Sequence, residues 1–408
     1  MIDKSALRIL VLDDESFMLK LLARMLANLG FTQVTTCDNG RGALEGIDCP
    51  NSRPDLILLD LNMPEMDGVE FVRHLVERQY VGSLILVSGE DERMLQTAEK
   101  LVQAHKISVL GHLCKPVKPE QLSMLLELWT APCLGESRIA KKTYGADEVR
   151  AAIANGELVN YYQPKVELAT GKVDGVESLV RWRHPQDGMV FPDQFVGVAE
   201  EHGLIDELTR TVVDEAFAQA KTWQDNGLQL RVALNISMDN LATLAFADHI
   251  IAAALAAGIT PDGIVLEVTE SRLMKSLSAP LEILTRLCLK RFSLSIDDFG
   301  TGHSSLSQLR DIPFNELKVD QGFVHGAADN VTLRAICCAS LSLAQQMGMK
   351  TVAEGVEDQA DWDFLRSTSC DLAQGYFIAK PMSAAEIPGW IKAWEASIET
   401  LMKAPGER

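Results

Sequence analysis

Asp13 and Asp14 close the first of a series of apolar, β-rich runs, and Asp60 closes the third. Ser88 closes the fourth, and Lys115, followed by Pro116, comes just after the fifth. A buried strand needs apolar side chains, so polar residues gathered at the C-terminal ends of such runs are candidates for chemistry. In an open doubly wound sheet, ligands bind outside the carboxyl ends of the strands, at the switch point between the first and third. Three carboxylates meeting there repel one another unless a divalent cation intervenes, and oxygen donors favour a hard ion such as Mg²⁺. The set suits phosphoryl transfer onto Asp60, with Ser88, Lys115 and the cation receiving the phosphoryl oxygens. Helix capping before Phe17 would account for Asp13 and Asp14 alone, but not for all five residues.

A second constellation occupies the rest of the chain. Glu177, Asn235, Glu267, Asp297 with Asp298, Lys318, Glu354 and Gln374 lie at or near the ends of successive strand-like runs, separated by 58, 32, 30, 21, 36 and 20 residues. Most of these intervals fit single β/α units, and the ends of such strands face one mouth in a barrel. Five acids, two amides and a lysine without histidine select Mg²⁺ or Mn²⁺ over zinc. So many carboxylates imply two ions, which can clamp a phosphate and activate water. Lys318 is the candidate general base, or the group that hydrogen-bonds the attacking water. Any one of these acids could be a turn or capping residue; their shared placement is what points to a site.

The elements that must position these residues can be read from periodicity. Five β-rich runs (8–12, 33–37, 55–59, 83–87 and 109–113) alternate with helical patterns, which predicts a flavodoxin-like parallel sheet covered on both faces. The pattern lapses between 131 and 147, where Pro132, Gly135 and Gly145 read as a linker. Eight further runs (159–163, 175–181, 231–236, 264–268, 292–296, 316–319, 350–353 and 372–377) predict a (β/α)8, TIM-like barrel. The expected organisation is 1–130, a phosphoacceptor domain; 131–147, a linker; and 148–400, the barrel.

The motifs "VLDDE", "LILLDLNMPEMDG", "LVSG" and "KP" resemble the receiver domain of two-component response regulators. The resemblance implies that Asp60 is the phosphoacceptor, that Asp13 and Asp14 hold one Mg²⁺ with it, and that Ser88 and Lys115 form the switch. His112 stands where that family has Phe or Tyr. Downstream, "YYQPKVEL", "GVESLVRW", "LNIS", "LEVTE", "IDDFGTG", "LKVD", "AEGVE" and "AQGYFIAKP" resemble the EAL domain, a cyclic-di-GMP phosphodiesterase. This implies that Glu177, Asn235, Glu267, Asp297, Asp298 and Glu354 ligate two Mg²⁺ or Mn²⁺ ions. It also implies that Lys318, with Glu177 and Glu354, is catalytic, and that Gln163, Leu179, Arg181 and Gln374 contact substrate. Glu270 would anchor the loop after the fifth barrel strand, and Glu357 would support the seventh. The signature triplet reads Glu177-Ser178-Leu179, with Ser for the usual Ala, and His303 replaces a frequent Tyr. Ser178 alternates away from Glu177 on a strand, so metal binding is expected to survive.

Composition narrows the alternatives. The 408 residues carry a net charge of −19, which argues against a broad basic nucleic-acid surface. No apolar run reaches the 18 or so residues that cross a bilayer, and eight scattered cysteines without a C-x-x-C pair read as reduced thiols. The expectation is a cytoplasmic response regulator of receiver–EAL architecture that hydrolyses cyclic-di-GMP to linear pGpG. Its partners would be a sensor histidine kinase or phosphotransfer protein and further copies of itself, as a dimer or larger oligomer, with no DNA and no membrane insertion. The competing readings are a silent cyclic-di-GMP sensor, an enolase-like lyase using Lys318 as carbon-acid base, and a DNA-binding output.

Overall fold

Strands β1 (Arg8–Leu12), β2 (Gln33–Cys37), β3 (Leu56–Asp60), β4 (Ser83–Ser88) and β5 (Ser108–Cys114) form a parallel sheet of order β2-β1-β3-β4-β5. They belong to a computed structural model that describes residues 4, 6–49, 53–89, 92–105, 107–127, 129, 142, 144–269, 278–300 and 306–401. The chain divides into two compact units, 1–140 and 141–408. In the first, strand alternation sorts the core into two faces. Leu10, Leu12, Ile57, Leu59, Leu84 and Leu86 pack on one side, and Ile9, Val11, Leu56, Leu58, Ile85 and Val87 on the other. Helices connect the strands, which accounts for the near-continuous apolar runs. Asn39 and Asp67 cap two of those helices by accepting from the backbone N–H of Gly42 and Glu70. The chain reverses direction across the sheet between β1 and β3, where Asp13 and Asp60 lie.

The second unit contains β6 (Leu158–Glu167), β7 (Val173–His184), β8 (Gly188–Val190), β9 (Arg231–Ile236), β10 (Ile264–Thr269), β11 (Ser293–Phe299), β12 (Glu316–Val319), β13 (Lys350–Ala353), β14 (Leu372–Ala373) and β15 (Met382–Ser383). Eight of these close into a barrel in the order β6-β7-β9-β10-β11-β12-β13-β14, with β14 returning to β6. β8 and β15 extend β7 and β6 outside the ring. An eight-strand barrel is what the sequence predicts, but β6 runs antiparallel to both its neighbours. Only residues 168–172 join β6 to β7, too few for the helical crossover that a parallel pair requires. As a result β6 descends from the mouth, so Gln163, opposite Glu177, lies above Lys165, opposite Gly175. The long interval before β9 is filled by β8 and by the helices Val196–Glu201 and Ile205–Asp225. The apolar core lies between the strands and the helices around them, and includes Phe217, Trp223, Phe246, Leu341 and Trp362. Among the described residues no helix is long and apolar enough to cross a membrane.

Candidate active sites

In the sheet domain the loop after β1 and the end of β3 bring Asp13 and Asp60 together, both almost fully buried. Lys115 reaches them from beyond β5, with Nζ 2.8 Å from Asp60 Oδ2 and 2.9 Å from Asp13 Oδ2. Asp13, Asp14 and Asp60 each offer an oxygen within 4.8 Å of the others. Burial pushes the Asp13 carboxyl up, opposed by its hydrogen bond to Lys115. One ammonium therefore serves two buried carboxylates beside a third, a donor set with room in its charge balance for a hard dication. Ser88 ends β4, fully buried. Gly68 is required by packing, because a Cβ there would lie 2.7 Å from Leu61 Cα and 2.8 Å from the Asp60 carbonyl. The His112 ring, at the position of the family's aromatic, meets the Glu99 carboxylate at 3.0 Å.

In the barrel, Gln163, Glu177, Leu179, Asp297, Lys318, Glu354 and Gln374 line one cavity of about 300 Å³ at the strand ends. Lys318, 1% exposed, sits at its base. Its Nζ lies 2.6 Å from Glu354, 2.7 Å from Glu267, 3.0 Å from Asp297 and 3.7 Å from Glu177. Asn235 donates to Glu177 Oε1 at 2.7 Å, and Gln374 donates to Glu177 Oε2 at 2.6 Å and to Gln163 at 3.0 Å. Asp297, Asp298 and Glu354 each place an oxygen within 4.8 Å of the other two. On a regular strand, consecutive Asp297 and Asp298 would face opposite sides. A register shift against β12 and a left-handed backbone at Asp298 (φ +54°) bring both to the mouth.

The electrostatics follow from this crowding. Burial and neighbouring carboxylates raise Glu177 and Glu354, and burial with Asp297 pushes Asp298 up to about 6. Glu267 differs: burial alone would raise it, but Lys165 and Lys318 outweigh burial and hold it at about 2. Burial would likewise lower Lys318, yet its four carboxylates keep it raised. Carboxyls pushed up by burial and by one another have the chemistry of a divalent-cation site.

Arg181 stands outside the cavity lining, its guanidinium 5.1 Å from the Phe191 ring centroid. Glu357 lines the mouth; Glu270 and His303 fall outside the described residues. Ser178 lies across from Tyr162, away from Glu177. Sequence reasoning missed Tyr376, Gln321, Gly355 and Gly375, which also line the mouth. It also missed Lys165 beneath the mouth, whose signal is the alternation of polar residues at Gln163, Lys165 and Glu167.

A buried acidic pocket at the switch point of a doubly wound sheet, followed by a carboxylate-lined barrel, defines a two-part class of protein. Residues 146–381 match the EAL domain and residues 9–127 the response regulator receiver domain. The chain belongs to the EAL-domain family and carries a receiver domain ahead of the barrel. Across 92% of its length it is 32% identical to the cyclic di-GMP phosphodiesterase RocR of Pseudomonas aeruginosa, 96% of which is covered. It is 40% identical over 59% of its length to MucR of the same organism, a bifunctional diguanylate cyclase/cyclic di-GMP phosphodiesterase of which 35% is covered. A solved structure of the MucR phosphodiesterase in complex with c-di-GMP superposes on 59% of the chain, covering 98% of that structure, with a TM-score of 0.57 and 40% identity.

Proposed function

We propose that the chain is a response regulator whose barrel hydrolyses cyclic-di-GMP to linear 5′-pGpG under the control of phosphorylation at Asp60. The observation that carries this reading is Lys318, buried among four carboxylates at the base of an open cavity. EAL phosphodiesterases depend on a divalent metal, and the donor set fits Mg²⁺ or Mn²⁺. Glu177, Asn235, Glu267, Asp297, Asp298 and Glu354 would hold two such ions, which supply positive charge against the phosphodiester and acidify water.

The chain's own groups do the rest. Gln374, whose Oε1 has no hydrogen-bond partner among the described residues, offers an acceptor to a guanine N–H beside Gln163. Arg181, outside the cavity lining but two residues beyond Leu179 on β7, would offer charge to the second phosphate. Water attacks phosphorus, the bond to one 3′ oxygen breaks, and that oxygen leaves as a hydroxyl. The Lys318 ammonium would hydrogen-bond and orient the water, Glu354 Oε1, 2.6 Å from Nζ, would take up its proton, and the proton would pass on to the departing 3′ oxygen. In the receiver, an Asp60 oxygen would attack the phosphoryl group on a histidine of a sensor kinase or phosphotransfer protein, the P–N bond would break with the imidazole as leaving group, and Lys115 and Ser88 would receive the phosphoryl oxygens.

The experiment is product analysis of cyclic-di-GMP incubated with the full chain and Mg²⁺. Wild type is expected to give pGpG, with Lys318→Ala reduced by about 10²- to 10⁴-fold and Glu177→Ala reduced comparably. Tight binding without turnover, also after phosphorylation of Asp60, would make the barrel a sensor instead.

A further inference from the structure

Beneath the mouth, the barrel interior carries a second layer of charge that the reaction above does not use. Lys165 is 3% exposed; its ammonium donates to Glu267 Oε1 at 2.5 Å and lies 3.6 Å from Glu316 Oε1. Glu316 Oε1 has no hydrogen-bond partner among the described residues, so it meets Lys165 only as a charge. Glu316 Oε2 faces Arg231 at 3.4 Å, and Arg231 and Lys350 share Asp174 at 3.3 and 2.7 Å. Arg231, Glu316 and Lys350 each begin a strand. A column of alternating charge therefore runs from Glu267 to the far end of the barrel.

Packing does not call for a lysine here, since a buried ion pair is often no more stabilising than apolar residues of the same volume. Gly175 and Ala233 border the small cavity around Lys165, and their short side chains leave space for the long one. The two oxygens of Glu267 are divided between two lysines. Oε2 faces Lys318 at the mouth, at 2.7 Å, and Oε1 is held from below by Lys165. Lys318 is shared among four carboxylates and cannot fix any one of them, whereas the shortest contact of Lys165 is to Glu267 alone.

We propose that Lys165 is a positioning residue for the metal site: it fixes Glu267 through Oε1 and so keeps Oε2 turned to the mouth as a cation ligand. The inference rests on the reading of Glu267 as a ligand. Outer-shell partners of ligating side chains act by orienting them, and losing one typically weakens metal binding by about 10- to 100-fold.

The test is Mn²⁺ affinity of the full chain, read from the electron paramagnetic resonance signal of free Mn²⁺, for wild type, Lys165→Met, Lys165→Arg and Glu267→Gln. Lys165→Met is expected to weaken Mn²⁺ binding by about 10- to 100-fold, with a smaller change in kcat at saturating Mn²⁺, and Lys165→Arg to restore most of the affinity. Folded Lys165→Met with wild-type affinity would overturn the proposal. If Glu267→Gln also bound Mn²⁺ like wild type, the ligand reading itself would fail. If only Glu267→Gln lost the metal, the role of Lys165 alone would fail. Should Lys165→Met not fold, a crystal structure of Mn²⁺-loaded wild type decides the matter. A Lys165 ammonium hydrogen-bonded to the Glu267 oxygen away from the ion supports the proposal, and one turned from Glu267 refutes it.

Discussion

His325 and Asp361 tie the segment after β12 to the first turn of the helix Gln359–Arg366, which follows β13. His325 follows β12 and Asp361 follows β13; the buried Asp361 carboxylate accepts from the His325 ring at 2.8 Å and from the backbone N–H of Gly326 and Glu357 at 3.0 and 3.1 Å. The hydrogen bond to Asp361 raises His325 above its ordinary 6.5, burial opposes it, and the charges of Asp361, Glu357 and Asp358 add to the rise. The folded state thus favours the imidazolium. The stabilisation is complete below the unfolded value and disappears as pH rises through the folded one. The Tm of wild type is expected to exceed that of His325→Gln near pH 6 and to converge on it by about pH 9. His325 is half-exposed, so screening keeps the difference small. A Tm difference that did not change with pH would show that the ring contributes only packing.

At the scale of elements, the mouth depends on segments that only glycine permits. A Cβ on Gly375, just after Gln374, would lie 2.2 Å from the Val356 carbonyl oxygen and 2.3 Å from the Val356 nitrogen. These are backbone atoms joined by hydrogen bonds to Gln374 and Phe377, so they cannot move aside. Gly375→Ala should lower stability by about 1 to 3 kcal/mol in urea unfolding and reduce turnover further by displacing Gln374. Gly389→Ala, which meets nothing within 4 Å on the Ile387–Leu401 helix, should be neutral or slightly stabilising. Equal effects at the two sites would refute the steric argument. Periodicity made most of these elements legible: β1, β2, β9, β12 and β13 fall on the residues that the sequence predicts. It did so because each is a short run containing β-branched or other apolar residues and bounded by polar turns. The orientation of β6 escaped, since strand runs look alike in either direction and only the short 168–172 link carries the difference. The paired aim of Asp297 and Asp298 escaped too, because a bulge is a property of pairing with β12 rather than of local sequence. Lys165 was passed over because it lies one layer below the strand ends, where polar residues are not sought.

At the scale of the whole molecule, the apolar cores are separate. The two receiver clusters draw on residues up to Trp129, and the barrel cluster on residues from Tyr144 onward. The two receiver clusters cover opposite faces of one sheet and belong to one compact unit, the barrel cluster belongs to the other, and multi-domain chains depart from a single two-state transition. Calorimetry of the full chain is therefore expected to show two transitions, each answering its own ligand. A ligand at 100 times its Kd stabilises its unit by about 2.7 kcal/mol, roughly 5 to 10 °C for a barrel of this size and more for the smaller receiver. Beryllofluoride with Mg²⁺, mimicking a phosphoryl group on Asp60, should move the receiver transition, and Asp60→Asn should abolish that shift. A slowly hydrolysed phosphorothioate analogue of cyclic-di-GMP should move the barrel transition. Coupling energies between sites are typically about 1 to 3 kcal/mol, so regulation would add a smaller shift in the partner transition. Because linkage is reciprocal for binding, its sign would tell whether phosphorylation favours or disfavours substrate binding. A single transition moved equally by both ligands would mean that receiver and barrel fold as one unit, and would remove the premise of two separately addressable sites.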